Sequence, residues 1–350
     1  MSILTDESEI LLFNSLKGLH LLERTDKMTV LDDLIGIQSQ FYSYAQNSLI
    51  IRADDYVGDG RNDGIVKIWS HRGTMHLVSE RKLALHLAAA GYPREFVDGA
   101  WNIAKKDADK WAPFIVSEIE KGNTLREGLK EACIAKGMPD GVLDRVFYGW
   151  GGLIYEMTYR GMIAGVPGNQ KEYLVPHITK SWPTMEEARE EMIRTYFKQY
   201  GPATVADCKY FFGRWKASDI NPIIERVLRG MYETVIGGKK YYSAKKPELN
   251  GEIPECVLVP GFDQLVMGYK DRSRMIDSEH LKKLTNVAGI VFPSVIVRNK
   301  MRARWKYDNN VITVTPFEKL LKKDEAPIRR KAKEVFGKQT EIRFDTQAAD

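Results

Sequence analysis

Three times in the first 240 residues, short stretches with helical spacing of apolar residues are followed by two apolar β segments joined by a turn. In the first copy the helical stretches cover 7–16, 29–36 and 43–52, with Thr29 read as an N-cap and Asp32 three residues on. A hairpin of 65–69 and 75–78 follows, turning through His71, Arg72 and Gly73. The second copy has helical stretches at 112–121, 124–136 and 143–159, and a hairpin of 162–164 with 173–175. The third has helical stretches at 185–200, 205–212 and 219–228. It closes on ETVIGGKKYY, where Gly237 and Gly238 supply the two positive-φ residues of a tight hairpin turn. Helices followed by a β-hairpin wing are the layout of a winged helix, an architecture built mostly to read nucleic acid.

After Pro247 the pattern changes to strands and turns. Strands are expected at 256–259, 289–292, 295–298, 302–305 and 311–314, with Asn309 and Asn310 as a turn and a final helix over 324–336. The fold class is therefore α+β, with three tandem winged-helix units followed by a small C-terminal β-rich, barrel-like domain. Boundaries fall at 1–80, 81–180, 181–246 and 247–340, with a tail over 341–350. A chain of 350 residues is long enough for several such units.

Composition narrows the function classes. Hydrophobic residues make up 43% and charged residues 28%, and mean hydropathy is -0.35, which excludes a disordered or membrane chain. No apolar run approaches 18 residues, and the opening MSILTDESEILLF carries acids where an export signal carries bases. A cytoplasmic, nucleoid-associated protein is expected. Cys133, Cys208 and Cys256 lie far apart, with no CxxC and no HExxH, so neither a metal nor a disulfide framework is expected. The formal charge is +5, but 298–338 carries thirteen Lys or Arg against five Asp or Glu, leaving the rest of the chain at -3. That stretch reads as a solvated basic face or as a polyanion-binding one.

No Gly-rich phosphate loop, GxSxG or kinase motif is present, and GDGRNDG at 58–64 reads as a surface loop. The stretch most suggestive of chemistry is Gly36-Ile37-Gln38-Ser39-Gln40, between two expected helices. In an extended connection Gln38 and Gln40 point to one side and Ser39 to the other, so two amides converge. Taken alone, such a pair is usually just polar surface.

Further stretches in chain order accompany it: Arg52, then Ser70-His71-Arg72-Gly73-Thr74-Met75-His76-Leu77-Val78, Tyr200-Gly201-Pro202-Ala203-Thr204 with Asp207 and Gly213, Val259-Pro260-Gly261-Phe262-Asp263, Gly268-Tyr269-Lys270-Asp271-Arg272, and Gly289 through Trp305. Together they span most of the chain. In these stretches the chain resembles the AlkZ-like winged-helix DNA glycosylases. The resemblance implies three tandem winged helices, a C-terminal β-rich domain and a catalytic Gln-x-Gln pair, which falls on Gln38 and Gln40. The family's middle position is usually aliphatic, and Ser39 departs from it. It also implies a monofunctional glycosylase for cationic N7-alkylated purines in base excision repair. Some relatives release guanines cross-linked between strands. A monomer acting on alkylated double-stranded DNA without a cofactor is expected.

Other candidates carry two readings each. His76 lies on the first wing, to reach a lesion or to pack. Arg52 and Arg72 suit phosphates or structural ion pairs. Asp263, Tyr269 and Arg272 line a cleft or serve an internal Asp–Arg pair. Arg302, Arg304 and Lys306 flank Trp305, as a nucleic-acid surface does, although strand alternation equally buries the ring and exposes the cations. The rival functions are a non-catalytic winged-helix transcriptional regulator and a winged-helix scaffold for another protein.

Overall fold

A computed structural model describes residues 4, 6–58, 64–149, 151–178 and 181–345. The chain divides into two compact units, one made of 1–58 with 190–350 and the other of 59–189. The loop expected at 58–64 lies largely outside the described residues. Among those residues, no helix is long and apolar enough to cross a membrane.

The first unit starts with the helices Glu7–Gly18, Lys27–Asp33 and Tyr42–Arg52. The second of these begins earlier than its apolar spacing suggests. Asp26 is the N-cap, accepting from the Thr29 amide at 2.9 Å, because a carboxylate satisfies an orphan N–H and also complements the helix dipole. The chain returns to this unit at Glu190, within the helix Met185–Gln199, and Val205–Phe211 and Ala217–Leu228 follow. Thr204 and Asp207 form a reciprocal capping box on the middle one. The hairpin Tyr232–Ile236 with Lys239–Ser243 turns on Gly237 and Gly238, at φ 56° and 72°, as its sequence requires.

Five strands complete this unit, in the order Cys256–Val259, Ser294–Val297, Lys300–Asp308, Val311–Pro316 and Glu341–Phe344. The sheet is open, not a closed barrel, since its two end strands each pair on one side only. Residues 341–344, expected in the tail, add that last strand parallel to Val311–Pro316. The expected strand over 289–292 does not form. Gly289 sits at φ 76° in a turn whose Asn286 side chain accepts from the amides of Ala288 and Ile290, leaving one bridge between Thr285 and Val291. The helix Lys322–Phe336 packs on the strand Cys256–Val259.

In the second unit the hairpin Ile65–Trp69 with Met75–Ser79 is extended by the two-residue strands Ala164–Gly165 and Tyr173–Leu174. Helices Lys105–Glu120, Arg126–Ala135, Asp140–Val146 and Gly152–Tyr159 enclose a core of Trp111, Ile115, Leu129, Cys133 and Leu153. The single helix expected over 143–159 is broken in two. Gly152 adopts φ 79° and its Cα lies so close to the Arg145 carbonyl that a Cβ there would come within 2.1 Å of it.

Candidate active site

The Gln-x-Gln stretch is suspended between the helices Lys27–Asp33 and Tyr42–Arg52. Ile35 and Gly36 both take positive φ, 56° and 80°, and turn the chain sharply out of the first helix into the extended pair Ile37–Gln38. A β-branched residue is strained in that region, so the surroundings must hold it. They do so through buried donors: Tyr200 Oη donates to the Leu34 carbonyl at 2.8 Å, and Gln264 Nε2 to the Gly36 carbonyl at 2.9 Å.

Each of these donors is itself fixed. Gln264 opens the short helix Gln264–Met267, capped by Asp263, whose carboxylate accepts from the Leu265 amide at 2.8 Å. The Arg52 guanidinium lies 2.9 and 2.8 Å from the two Asp263 oxygens, and also donates to the Leu19 carbonyl and to Ser48 Oγ. Both side chains of this pair have 0% exposure. A phosphate contact by Arg52 therefore gives way to the internal ion pair, because a fully enclosed guanidinium touches no DNA. Tyr269 is equally enclosed; its hydroxyl donates to the Tyr200 carbonyl at 2.6 Å, and the Arg274 guanidinium stacks 3.8 Å over its ring. Burial pushes the Tyr269 phenol up to about 12 and the Tyr200 phenol well above its ordinary value, so both remain donors. Arg272 donates to Tyr210 Oη at 2.8 Å and to the Val266 carbonyl. Gln264, Tyr200 and Arg274 were not singled out as site residues; no spacing in the chain marks a donor that acts on a loop more than 160 residues away.

The glutamines themselves differ in setting. Gln38 is 6% exposed and Gln40 is exposed, and among the described residues neither side-chain amide has a hydrogen-bond partner. Between them Ser39 is buried, with its hydroxyl unpartnered.

Arg302, Arg304 and Lys306 share one face of the strand Lys300–Asp308, and Trp305 points the other way, buried, with its Nε1 donating to the Val259 carbonyl at 3.0 Å. Two of the three cations are engaged internally. Arg302 pairs with Asp277 at 2.9 Å, and Arg304 lies 4.2 Å over the Phe292 ring while donating to the Lys283 carbonyl. Lys306 is 77% exposed and lies 3.7 Å from the likewise solvent-facing Asp308, a surface pair that holds it weakly. Elsewhere in the basic stretch, Arg298 pairs with Asp324, Arg330 with Glu255 and Lys331 with Glu334. The grouping Asp277, Glu279 and His280 has donor atoms within 4.8 Å of one another, the spacing a cation needs, but Asp277 already carries the Arg302 charge.

Arg72 and His76 belong to the unit of 59–189. Arg72 lies in the turn between the strands Ile65–Trp69 and Met75–Ser79, at φ 64°. His76 is buried with His71 and His86; its Nδ1 lies 2.9 Å from the Thr74 carbonyl, and His86 Nδ1 lies 2.7 Å from Ser70 Oγ. Burial holds His76 down at about 4 and His86 at about 3, while His71 falls well below its ordinary value for the same reason. These rings are neutral in the folded state and titrate near 6.5 when unfolded. Their stabilising contribution is complete above that pH and is lost as pH falls from 6.5 toward 4 and 3, because the unfolded chain takes up the protons first. The urea midpoint of this unit is expected to fall between pH 7.5 and pH 5.0, and less so in a His76→Gln variant. Equal slopes for the variant and the parent protein would show that His76 gains its proton as easily folded as unfolded.

Against known proteins, the family model described as DNA glycosylase AlkZ-like matches residues 31–336. An interstrand DNA cross-link repair glycosylase from Streptomyces sahachiroi is 23% identical over 315 residues, covering 82% of this chain and 84% of that one. The solved structure of Streptomyces sahachiroi DNA glycosylase AlkZ superposes with a TM-score of 0.75 at 19% identity, over 97% of this chain and all of that one, and so shares its fold. With a family match reaching from the helix before the glutamines to the end of the last helix, the chain belongs to the AlkZ-like DNA glycosylases.

Proposed function

We propose that this protein is a monofunctional glycosylase that hydrolyses the N-glycosidic bond of N7-alkylated guanine in double-stranded DNA, acting as a cytoplasmic monomer at the nucleoid. The observation that carries the reading is the pair Gln38 and Gln40: two amides without partners among the described residues, on a loop whose backbone is fixed by buried donors, at the positions of the family's Gln-x-Gln. An amide on a fixed loop that no described group of the fold engages suits a group waiting for substrate. The three helix-then-hairpin segments are read here as winged-helix units that present the loop to the duplex.

The chemistry asks little of an acid. An N7-alkylated guanine is already cationic. As the C1′–N9 bond breaks, its electron pair neutralises the ring; a water oxygen bonds to C1′ and its proton passes to solvent. The protein must orient that water and stabilise the oxocarbenium-like sugar, which preorganised dipoles do. Gln40 is assigned to the water and Gln38 to water or sugar, through carbonyl oxygens that orient but are too weakly basic to abstract a proton early. Unhooking a guanine cross-linked between strands requires the same bond to break, and the cross-link repair activity named for the Streptomyces relative brings that substrate within the proposal.

The test is incubation of the chain with a duplex containing one 7-methylguanine. Free 7-methylguanine and one alkali-labile abasic site per released base are expected. Binding without base release would instead identify a regulator. Attachment to undamaged duplex is expected to weaken steeply with salt through counterion release. With Arg302 and Arg304 engaged internally, replacing both together with Lys306 by alanine is expected to flatten the log–log slope by about one unit, the share of Lys306 alone. A flattening by about three would mean that both arginines leave their partners for phosphates.

A further inference from the structure

A cavity of about 380 Å³, lined by Phe41, the residue after Gln40, but by neither glutamine, opens between the helix Tyr42–Arg52 and the C-terminal sheet of the same unit. Phe41, Tyr44 and Asn47 form one wall, and Phe292, Trp305 and Tyr307 contribute to the other. The volume suits a small ligand, in the usual range of about 300–1,000 Å³.

Asn47 is the feature least explained by folding. It is 8% exposed, lines the cavity, and among the described residues its side-chain amide makes no hydrogen bond. Lining the cavity, that amide is available to whatever the cavity holds. Tyr44 sits one turn before it on the same helix face, and its hydroxyl is likewise unpartnered among the described residues. The ring of Tyr44 is laid against the backbone of Gly261, where a Cβ would come within 2.2 Å of it. Phe41 directly follows Gln40. It is 41% exposed, occupies an N-cap position where it offers no capping group, and stacks nearly parallel to Phe262 at 5.9 Å. An exposed aromatic ring and an uncompleted amide one residue and two turns from the glutamines are a poor solution for stability alone. The Arg304 charge is turned onto Phe292, and the exposed Lys306 also lines the cavity.

We infer that this cavity receives the extruded purine ring, with Asn47 pairing to its hydrogen-bonding edge and the Phe41–Tyr44 wall lying against the ring. The carboxamide offers an acceptor and a donor side by side, matching N1–H and O6 of 7-methylguanine. Aromatic walls attract a cationic ring before cleavage. The inference rests on the glycosylase reading for its ligand, but its test does not need catalysis.

Binding of free 7-methylguanine and of 2-amino-7-methylpurine, which lacks O6 and the N1 proton, is to be measured by calorimetry. The parent protein is expected to prefer 7-methylguanine by about tenfold, as a bidentate amide contact warrants. Asn47→Leu is expected to bring that preference close to one, a change in ratio that a purely structural role would not produce. Ser43→Trp, placed on an exposed rim residue, is expected to abolish binding of both bases without changing affinity for undamaged duplex; it also serves if Asn47→Leu fails to fold. No binding by the parent protein, an unchanged ratio in Asn47→Leu, or full binding in Ser43→Trp would each overturn the inference. Base binding without excision from DNA would leave the cavity assignment standing and remove the glycosylase reading, whereas excision without base binding would do the reverse.

Discussion

Gln38→Ala and Gln40→Ala are each expected to slow single-turnover release of 7-methylguanine by on the order of a hundredfold, with duplex affinity and folding nearly unchanged. That magnitude is typical of removing one aligned dipole from a site where charge develops. Neither amide has a hydrogen-bond partner among the described residues, so the variants break no side-chain hydrogen bond of the fold, although Gln38→Ala gives up some packing because Gln38 is buried. The double variant is expected to lose less than the product of the two single effects, because the proposed mechanism has both amides acting on the same water and sugar. Rates at the parent level in the double variant would place the chemistry elsewhere in the protein.

The second large effect concerns stability. Arg52→Met leaves the Asp263 carboxylate enclosed without its counter-charge and is expected to cost about 3–5 kcal/mol, read as a lower urea midpoint. Part of that loss is expected to return in Arg52→Met with Asp263→Asn, because the second change removes the orphaned charge. The coupling should also reach activity: Asp263 caps the helix whose Gln264 holds the Gly36 carbonyl, so loosening it lets the glutamine loop drift. A slower excision step with unaltered duplex affinity is the signature of that drift. If Arg52→Met is as stable as the parent protein, the buried pair contributes nothing that apolar packing does not.

What could be read in the chain follows the range of the interactions. Hairpins at 65–79 and 232–243 are visible because their turns are made by local glycines, and the Gln-x-Gln pair is visible through motif likeness. Arg52 and Asp263 are 211 residues apart, and no local pattern assigns one to the other, so Arg52 read equally as a phosphate ligand and Asp263 as the lining of a cleft. Asn47, in the middle of a helix, has the spacing of a polar surface residue, and only the sheet opposite encloses it. Five strands in succession suggest closure, but whether a sheet closes depends on its end strands pairing, which alternation along each strand does not encode. The alternation along 302–306 was readable, with Trp305 inward and the cations outward. Their carboxylate partners were not, which is why a stretch with net charge +8 is a smaller polyanion surface than its composition suggests.

The central claim is that the glutamine pair serves bases that leave neutral because they enter cationic. It is tested most directly by single-turnover excision from three duplexes that differ only in one base: 7-methylguanine, uracil and 8-oxoguanine. Release of 7-methylguanine, with uracil and 8-oxoguanine persisting under the same conditions, is the expected result. Uracil or 8-oxoguanine released as fast as 7-methylguanine would contradict the account, since an uncharged base needs a general acid that two amides do not supply.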